Sequence, residues 1–130
     1  MTIPQNTALS RIGQIAINAH DVDRATAFYR DVLGLQHLFS AGPLSFFDCG
    51  GVRLMISKPE RPDLDHASSI LYFKVGDIQA THRRLKEGGA KVEDEPHLIA
   101  RMPNHDLWIG HFYDSEGNLL ALMSEVAHAA

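Results

Sequence analysis

Residues 12–35 read IGQIAINAHDVDRATAFYRDVLGL, and this stretch predicts a strand followed by a helix. Its first part alternates between two faces, with Ile15 and Ile17 on one side and polar or small residues on the other, which is the period of a β-strand. Asp21 is a suitable helix N-cap, apolar residues then recur at helical spacing, and Gly34 is a suitable C-cap. We therefore expect a strand that packs on one amphipathic helix.

The same plan occurs twice along the chain. After the first helix, short apolar runs separated by glycine and proline turns predict three more strands. A stretch with two prolines, several charges and no apolar period reads as a surface linker, and a second strand and helix follow it, with Asp77 as the N-cap. The predicted strands after the first helix are 35–40, 44–48, 52–57, 70–75, 91–93, 106–113 and 118–124.

This order predicts an α+β fold of two βαβββ modules whose curled mixed sheets surround a cavity. We expect one domain over 1–130, with the first module at 11–57, a linker at 58–69 and the second module at 70–126. Each half alone would expose one face of its sheet. Pairing of the halves, or of two chains, would bury those faces, and we expect a symmetric homodimer.

Composition excludes several classes of function. The net charge is -4 and the charges are scattered, so we expect no nucleic-acid partner, because the one dense basic patch, at 82–86, reads as a solvated helix face. Cys49 is the only cysteine, which rules out a disulfide within the chain. The N-terminus lacks the pattern of a signal peptide and no apolar run is long enough to cross a bilayer. We expect a cytoplasmic protein with no membrane partner.

Two segments carry a resemblance to a known family. Residues 12–18, 21–25 and 28–35 resemble the opening strand and helix of the vicinal oxygen chelate superfamily, which includes glyoxalases, bleomycin resistance proteins and extradiol dioxygenases. Residues 113–120, YDSEGNLL, resemble its closing hairpin, where an aromatic residue, Asp-Pro-Asp-Gly-Asn and an apolar strand usually follow one another. The likeness extends over 11–126 and implies the glyoxalase fold.

The resemblance also implies a divalent metal between the modules, held by His, Gln or Glu on the first and last strands of each. The corresponding positions here are Gln14, Leu54 or Met55, Ile70, and Ala121. Apolar side chains cannot coordinate a metal ion, and a lone amide oxygen is a poor divalent site. We therefore expect no cofactor and no metal at this place.

A relocated metal site is an alternative. The chain has eight histidines, but none pair at the helical spacing of a zinc protease. His97 and His105 could approach each other around a turn, so a site built on them stays open.

Strand alternation suggests which side chains face the cavity. If Tyr113 pairs with Asn118, an aromatic and apolar set shares one face, namely Trp108, Gly110, Phe112, Leu119, Ala121 and Met123. The segment 95–108 is unusually rich in His, Arg, Asp and Trp, and within it Arg101 could bind a carboxylate or phosphate while a histidine moves a proton. The predicted ligand-binding residues are Gln14, Asn18, Tyr72, His97, Arg101, His105, Trp108 and Phe112.

Three functions are compatible with these residues. The first is a metal-free relative of the bleomycin resistance proteins that binds an apolar or aromatic small molecule, and the net charge would suit a cationic one. The second is a glyoxalase-like lyase or isomerase, or a ring-cleaving dioxygenase, which uses displaced ligands or His and Arg acid–base chemistry. The third is a protein-interaction module that keeps an unused cavity.

Overall fold

The computed structural model describes residues 2 and 4–128. The fold is α+β, with two βαβββ-like modules that each form a mixed sheet. The first module contains β1 (Gln14–Asn18), α1 (Val22–Ala27) with a π-helical turn (Phe28–Val32), β2 (Gln36–Ala41), β3 (Leu44–Cys49) and β4 (Val52–Ser57). The second contains β5 (Leu71–Lys74), α2 (Ile78–Glu87), β6 (Lys91–Val92), β7 (His97–Arg101), β8 (His105–Tyr113) and β9 (Leu119–Ala127). Short 3-10 turns lie at Gln5–Thr7 and Pro62–Leu64.

The two sheets share a strand order, but sheet A has four strands and sheet B has five. Sheet A has the strand order β1-β4-β3-β2, and sheet B has the order β5-β9-β8-β6, with β7 also paired to β8. In each sheet the first strand of the module lies parallel to the last, and the other pairs are antiparallel. We call the side of each sheet that packs on the helices its helix face and the other side its open face. No helix in the described part of the chain is long and apolar enough to cross a membrane.

The predicted helix starts are confirmed. Asp21 caps α1 by accepting a hydrogen bond from the Arg24 N–H at 3.0 Å, and Asp77 caps α2 by accepting one from the Ala80 N–H at 3.0 Å. A side-chain oxygen at this position satisfies an amide group that has no partner inside the helix. Both helices therefore begin where the sequence predicted.

The helix faces of both sheets bury their apolar residues in one shared core. The cluster joins side chains of both modules, among them Ile17, Tyr29, Phe47, Leu54, Ile78, Leu85, Phe112 and Leu120. Arg84 on α2 also donates to the Val32 carbonyl oxygen at 2.7 Å. Because removal of apolar surface from water is the main force for folding, the modules pack against each other through their helix faces.

A buried polar contact joins the modules at the turn between β8 and β9. The Tyr29 hydroxyl donates to Asp114 Oδ2 at 2.7 Å, and burial together with this carboxylate raises the pKa of Tyr29. Asp114 also accepts the backbone N–H groups of Glu116 and Asn118, at 2.8 and 2.9 Å. The Asn118 side chain donates both to Asp114 and to the Asn18 carbonyl oxygen. These bonds fix the turn against the first module.

Glu116, in the same turn, binds the start of α1. Its carboxylate accepts the backbone N–H groups of His20 and Asp21 and two N–H groups of Arg24, with the shortest contact at 2.6 Å. Burial acts to raise the pKa of Glu116, but these hydrogen bonds outweigh it and the pKa lies below the usual value. The sequence predicted only a turn here, so its role in joining the modules is new.

The structure corrects the predicted register of the last hairpin. Tyr113 pairs with Leu119, not with Asn118. A shift of one residue moves every side chain of a strand to the other face. Trp108 and Phe112 consequently lie on the helix face, where Phe112 is 2% exposed in the core, whereas Leu119, Ala121 and Met123 lie on the open face. The prediction that these residues share one face is wrong.

Residues 97–101 form a strand and not the irregular segment that their composition suggested. β7 pairs with β8 across a register shift between Leu98 and Ala100. The pairing satisfies the backbone groups of a segment whose side chains are mixed in character. His97 and Arg101 are therefore held on a strand.

The buried Tyr29 hydroxyl gives the first prediction. Tyr29→Phe is expected to lower the free energy of unfolding by about 1–3 kcal/mol, because Asp114 loses a hydrogen-bond donor in a site closed to water. Urea unfolding measures the change. Tyr113→Phe is the matched control, since its exposed hydroxyl bonds Glu93 at 2.7 Å and its loss should change stability by less than about 0.5 kcal/mol. Equal effects of the two variants would contradict the assignment.

The lowered pKa of Glu116 gives the second prediction, a dependence on pH. Since the pKa is lower in the folded chain than in the unfolded one, the stabilisation is complete above the unfolded value, about 4.3, and is lost as pH falls through the folded value. Glu116→Gln should therefore cost about 2 kcal/mol at neutral pH and less below pH of about 4. Glu87→Gln, on the exposed end of α2, is the control. A cost that does not change with pH would contradict this reading.

Candidate functional site

The open face of sheet A carries a groove. Its floor is formed by Ala16 and Asn18 from β1 with Met55 and Ser57 from β4, which lie side by side in the strand register. The walls come from Pro43 and Leu44 and from residues of the segment 58–69, and the groove has a volume of about 470 Å³. A volume of this size is enough for a small organic ligand.

Gln14 and Arg53 form a polar pair next to this groove. The two residues are register partners on β1 and β4, and Arg53 Nε donates to Gln14 Oε1 at 2.8 Å. The Gln14 amide nitrogen lies 3.6 Å from Met55 Sδ. The Arg53 guanidinium lies 5.3 Å from the centre of the Phe46 ring, which is itself stacked on Phe39 at 4.6 Å. This face thus combines one cation with two aromatic rings.

Asn18 contacts the linker. Its side-chain amide donates to the carbonyl oxygens of Leu64 and His66 at 2.8 and 3.0 Å, and its backbone N–H donates to Ser68 Oγ at 3.3 Å. Both amide hydrogens are used in these bonds. Asn18 therefore holds the wall of the groove in place.

The open face of sheet B carries a row of three side chains across neighbouring strands. Tyr72 on β5, Ala121 on β9 and His111 on β8 are register partners, and Ala121 is fully buried between the other two. The rings of Tyr72 and His111 meet edge to face with centres 6.1 Å apart. The small Ala121 side chain leaves the His111 imidazole beside Tyr72.

His111 is oriented by a carboxylate. Asp94 accepts the backbone N–H of His111 at 2.6 Å and contacts its ring Nδ1 at 3.1 Å. Burial acts to raise the pKa of Asp94, but the hydrogen bonds from His111 lower it below the usual value, so Asp94 is ionised at neutral pH. An ionised carboxylate only accepts hydrogen bonds, so Nδ1 carries the hydrogen in this contact, and Nε2 is the ring nitrogen left to accept a proton.

The predicted binding residues lie on the open face of sheet A, on the open face of sheet B and on the helix face of sheet B. Gln14 and Asn18 lie on the open face of sheet A. Tyr72, His97 and His105 share the open face of sheet B with His111. His105 lies 3.6 Å from Glu125, which also contacts Lys74 at 3.5 Å.

The other predicted residues do not reach either open face. Arg101 is exposed and pairs with Asp106 along the backbone, which puts it on the same side of sheet B as Trp108. Trp108 and Phe112 pack against the core on the helix face. The placement of Trp108 and Phe112 in a pocket is corrected, because it depended on the wrong register.

Three residues of these faces were not predicted. Arg53 could have been found, because the alternation of β4 turns it away from the apolar Leu54 and Ile56. Asp94 and His111 carry no such signal, since they lie 17 residues apart and meet only through the packing of the β6 end against β8.

The side chains at the superfamily's metal positions do not suit a divalent ion. Leu54 is 2% exposed on the helix face, so Met55 is the residue on the open face beside Gln14. The oxygen of Gln14 already accepts from the Arg53 guanidinium, and a second cation there would be repelled. Ile70 and Ala121 offer no donor atom.

The described histidines do not form a relocated metal site. Among residues 2 and 4–128, no group of three or more His, Cys, Asp or Glu side chains is arranged to hold a metal ion. His97 instead contacts the Glu95 carbonyl oxygen, and His105 contacts Asn104.

Comparisons with known proteins agree with this fold. Residues 11–122 match the profile of the Glyoxalase family, described as Glyoxalase/Bleomycin resistance protein/Dioxygenase superfamily. The uncharacterized protein YraH of Bacillus subtilis (strain 168) is 27% identical over 126 residues, which cover 84% of this chain and 94% of that protein.

Solved structures show the same architecture. A lactoylglutathione lyase from Agrobacterium tumefaciens is 28% identical with a TM-score of 0.70, covering 89% of this chain and 94% of its own. A superfamily member from Sphaerobacter thermophilus superposes with a TM-score of 0.75 at 17% identity, covering 90% of this chain and 98% of its own. The second likeness is evidence of fold alone.

Proposed function

Because this chain belongs to the glyoxalase/bleomycin resistance protein/dioxygenase superfamily, we propose that it binds an apolar or aromatic small molecule without the usual divalent metal. The observation that carries this proposal is the open face of sheet A, where Met55 lies on the floor of a groove of about 470 Å³. Phe46, the register partner of Met55 on β3, carries the stacked ring of Phe39 on the same face. Ligand sites of small molecules are mostly apolar with a few polar groups that fix orientation. The Gln14–Arg53 pair supplies such groups.

The same proposal includes a homodimer. The modules of one chain pack through their helix faces, so their open faces turn away from the shared core. Large apolar side chains are exposed there, with Phe39 at 49% and Tyr72 at 47%. Exposed apolar surface of this kind marks contact with another molecule. A symmetric dimer in which the first module of one chain faces the second module of its partner would cover both faces and enclose the groove.

The third prediction concerns metal content, assembly and ligand binding together. Protein purified and then dialysed against zinc, nickel, iron or manganese should hold well under one equivalent of metal, because most of the donor atoms are missing.

The molar mass measured by sedimentation equilibrium should be that of two chains. In a panel of aromatic compounds, some should raise the melting temperature, since a ligand stabilises the state that binds it.

Variants locate the binding face. Phe39→Ala should reduce the thermal shift that a bound aromatic compound causes, because it removes half of the stacked pair. Leu9→Ala is the control, since Leu9 is fully exposed and lies outside both sheets. One equivalent of tightly bound metal, or a melting temperature that no compound shifts, would contradict the proposal.

A second candidate function is a metal-independent enzyme, and the Asp94–His111 pair favours it. A half-buried imidazole held by a carboxylate is suited to take a proton from carbon next to a carbonyl group and return it to the neighbouring carbon. The related lactoylglutathione lyase from Agrobacterium tumefaciens makes methylglyoxal and glutathione reasonable probes.

The fourth prediction tests this candidate. If it is correct, thioester formation from the two probes continues in the presence of a chelator, and His111→Gln lowers kcat by about 100-fold or more. Asp94→Asn should lower it less, because the imidazole stays in place but loses its orientation. His128→Gln, at an exposed position after β9, serves as the control. No chelator-resistant turnover, or equal turnover in His111→Gln, would leave the binding function as the better account.

A further inference from the structure

Arg53 lies on the open face of sheet A next to the groove, and its guanidinium forms no ion pair with any described carboxylate. This holds although Asp48 is its register partner on β3. The guanidinium bonds the neutral Gln14 and lies over Phe46. A guanidinium that is held beside a groove and is not engaged in an ion pair is suited to bind an anion.

The contacts of Arg53 also determine how its donors are presented. Nε is occupied by Gln14 Oε1 at 2.8 Å, and the ring of Phe46 lies 5.3 Å from the guanidinium carbon. These two contacts restrict rotation of the planar guanidinium. Its terminal Nη atoms have no hydrogen-bond partner among the described residues. Two parallel N–H groups match the two oxygens of a carboxylate, which a lysine ammonium does not.

The residues around Arg53 indicate the chemistry of the rest of the ligand. Phe39 and Phe46 are stacked with ring centres 4.6 Å apart and planes inclined by 28°, and Phe39 is 49% exposed. An exposed aromatic ring next to a cation offers a flat apolar surface to a second ring. Met55 continues this surface toward the groove.

We propose that Arg53 binds the carboxylate of an aromatic acid whose ring lies against Phe39 and Met55. This inference rests on the proposed binding function and names its ligand class. It replaces the expectation of a cationic ligand, which followed from the net charge of -4. The guanidinium would act on a bound anion at contact distance, whereas salt screens the more distant charges of the chain beyond about 10 Å.

Gln14 is a positioning residue in this site. Its amide oxygen holds Arg53 Nε, and its amide nitrogen lies at Met55 Sδ. Without that oxygen the guanidinium could rotate into solvent. Its positive charge would remain, but its two N–H groups would no longer be aligned with the two oxygens of a carboxylate.

The experiment compares an acid with its neutral analogue on the intact protein. Binding of 2-naphthoate and 2-naphthamide, which share one ring system, is measured by calorimetric titration in low salt. The wild-type protein should bind the acid at least about tenfold more tightly, and this preference should fall as salt is added. In Arg53→Gln the preference should disappear while the amide binds as before.

Further variants separate the role of charge from that of geometry. Arg53→Lys should keep only part of the preference, because the ammonium lacks the planar pair of donors. Gln14→Leu should reduce the preference about threefold to tenfold, and it carries the test if Arg53→Gln does not fold. Arg83→Gln is the control, since it removes the same charge from an exposed position on α2.

The outcomes distinguish the two proposals. Equal binding of acid and amide by the wild-type protein, or a preference that survives in Arg53→Gln, would overturn the anion site and leave the binding function intact. A preference lost in Arg101→Gln instead would move the anion site to β7 and overturn the assignment to Arg53. Failure of both compounds and of the wider aromatic panel to bind would overturn the binding function and this inference with it.

Discussion

The shared core between the two helix faces is the interaction on which the rest of the structure depends. Tyr29 and Phe47 from the first module and Leu85 and Phe112 from the second are buried together, so folding of either module leaves apolar surface that only the other can cover. The buried bond between Tyr29 and Asp114 then fixes the orientation, because an unpaired hydroxyl or carboxylate there would cost more than the bond itself contributes. Both open faces are consequently turned outward.

This arrangement explains how one fold can host a different site chemistry. The row of positions on the open face is determined by strand pairing and does not depend on which side chains occupy it. At these positions the chain has Gln14 bound to Arg53, and Ala121 beside His111. A guanidinium and an imidazole thus lie beside two of the positions at which the resemblance implied metal ligands. A guanidinium can bind an anion and an imidazole can move a proton, and neither group needs a bound metal for this.

Local signals predicted most of the fold, and long-range pairing decided what they missed. The caps at Asp21 and Asp77 were predicted because a cap depends on residues three positions apart. The hairpin of β8 and β9 was predicted from its turn, but its predicted register was wrong by one residue. Asp114 accepts the backbone N–H groups of Glu116 and Asn118, so Asn118 belongs to the loop and the pairing begins at Leu119. That single shift moved Trp108 and Phe112 from the site to the core.

The sequence by itself determined the class of fold, the two helix starts, the family and the apolar residues at three of the four resembling positions, because each of these depends on residue types at short or fixed spacing. Only the tertiary structure decided which face each side chain occupies and which distant residues meet. Arg53 reaches Gln14 from 39 positions away, and Asp94 reaches His111 from 17. Such contacts depend on strand register and on the packing of one sheet against a helix, and periodicity along the chain carries no record of either.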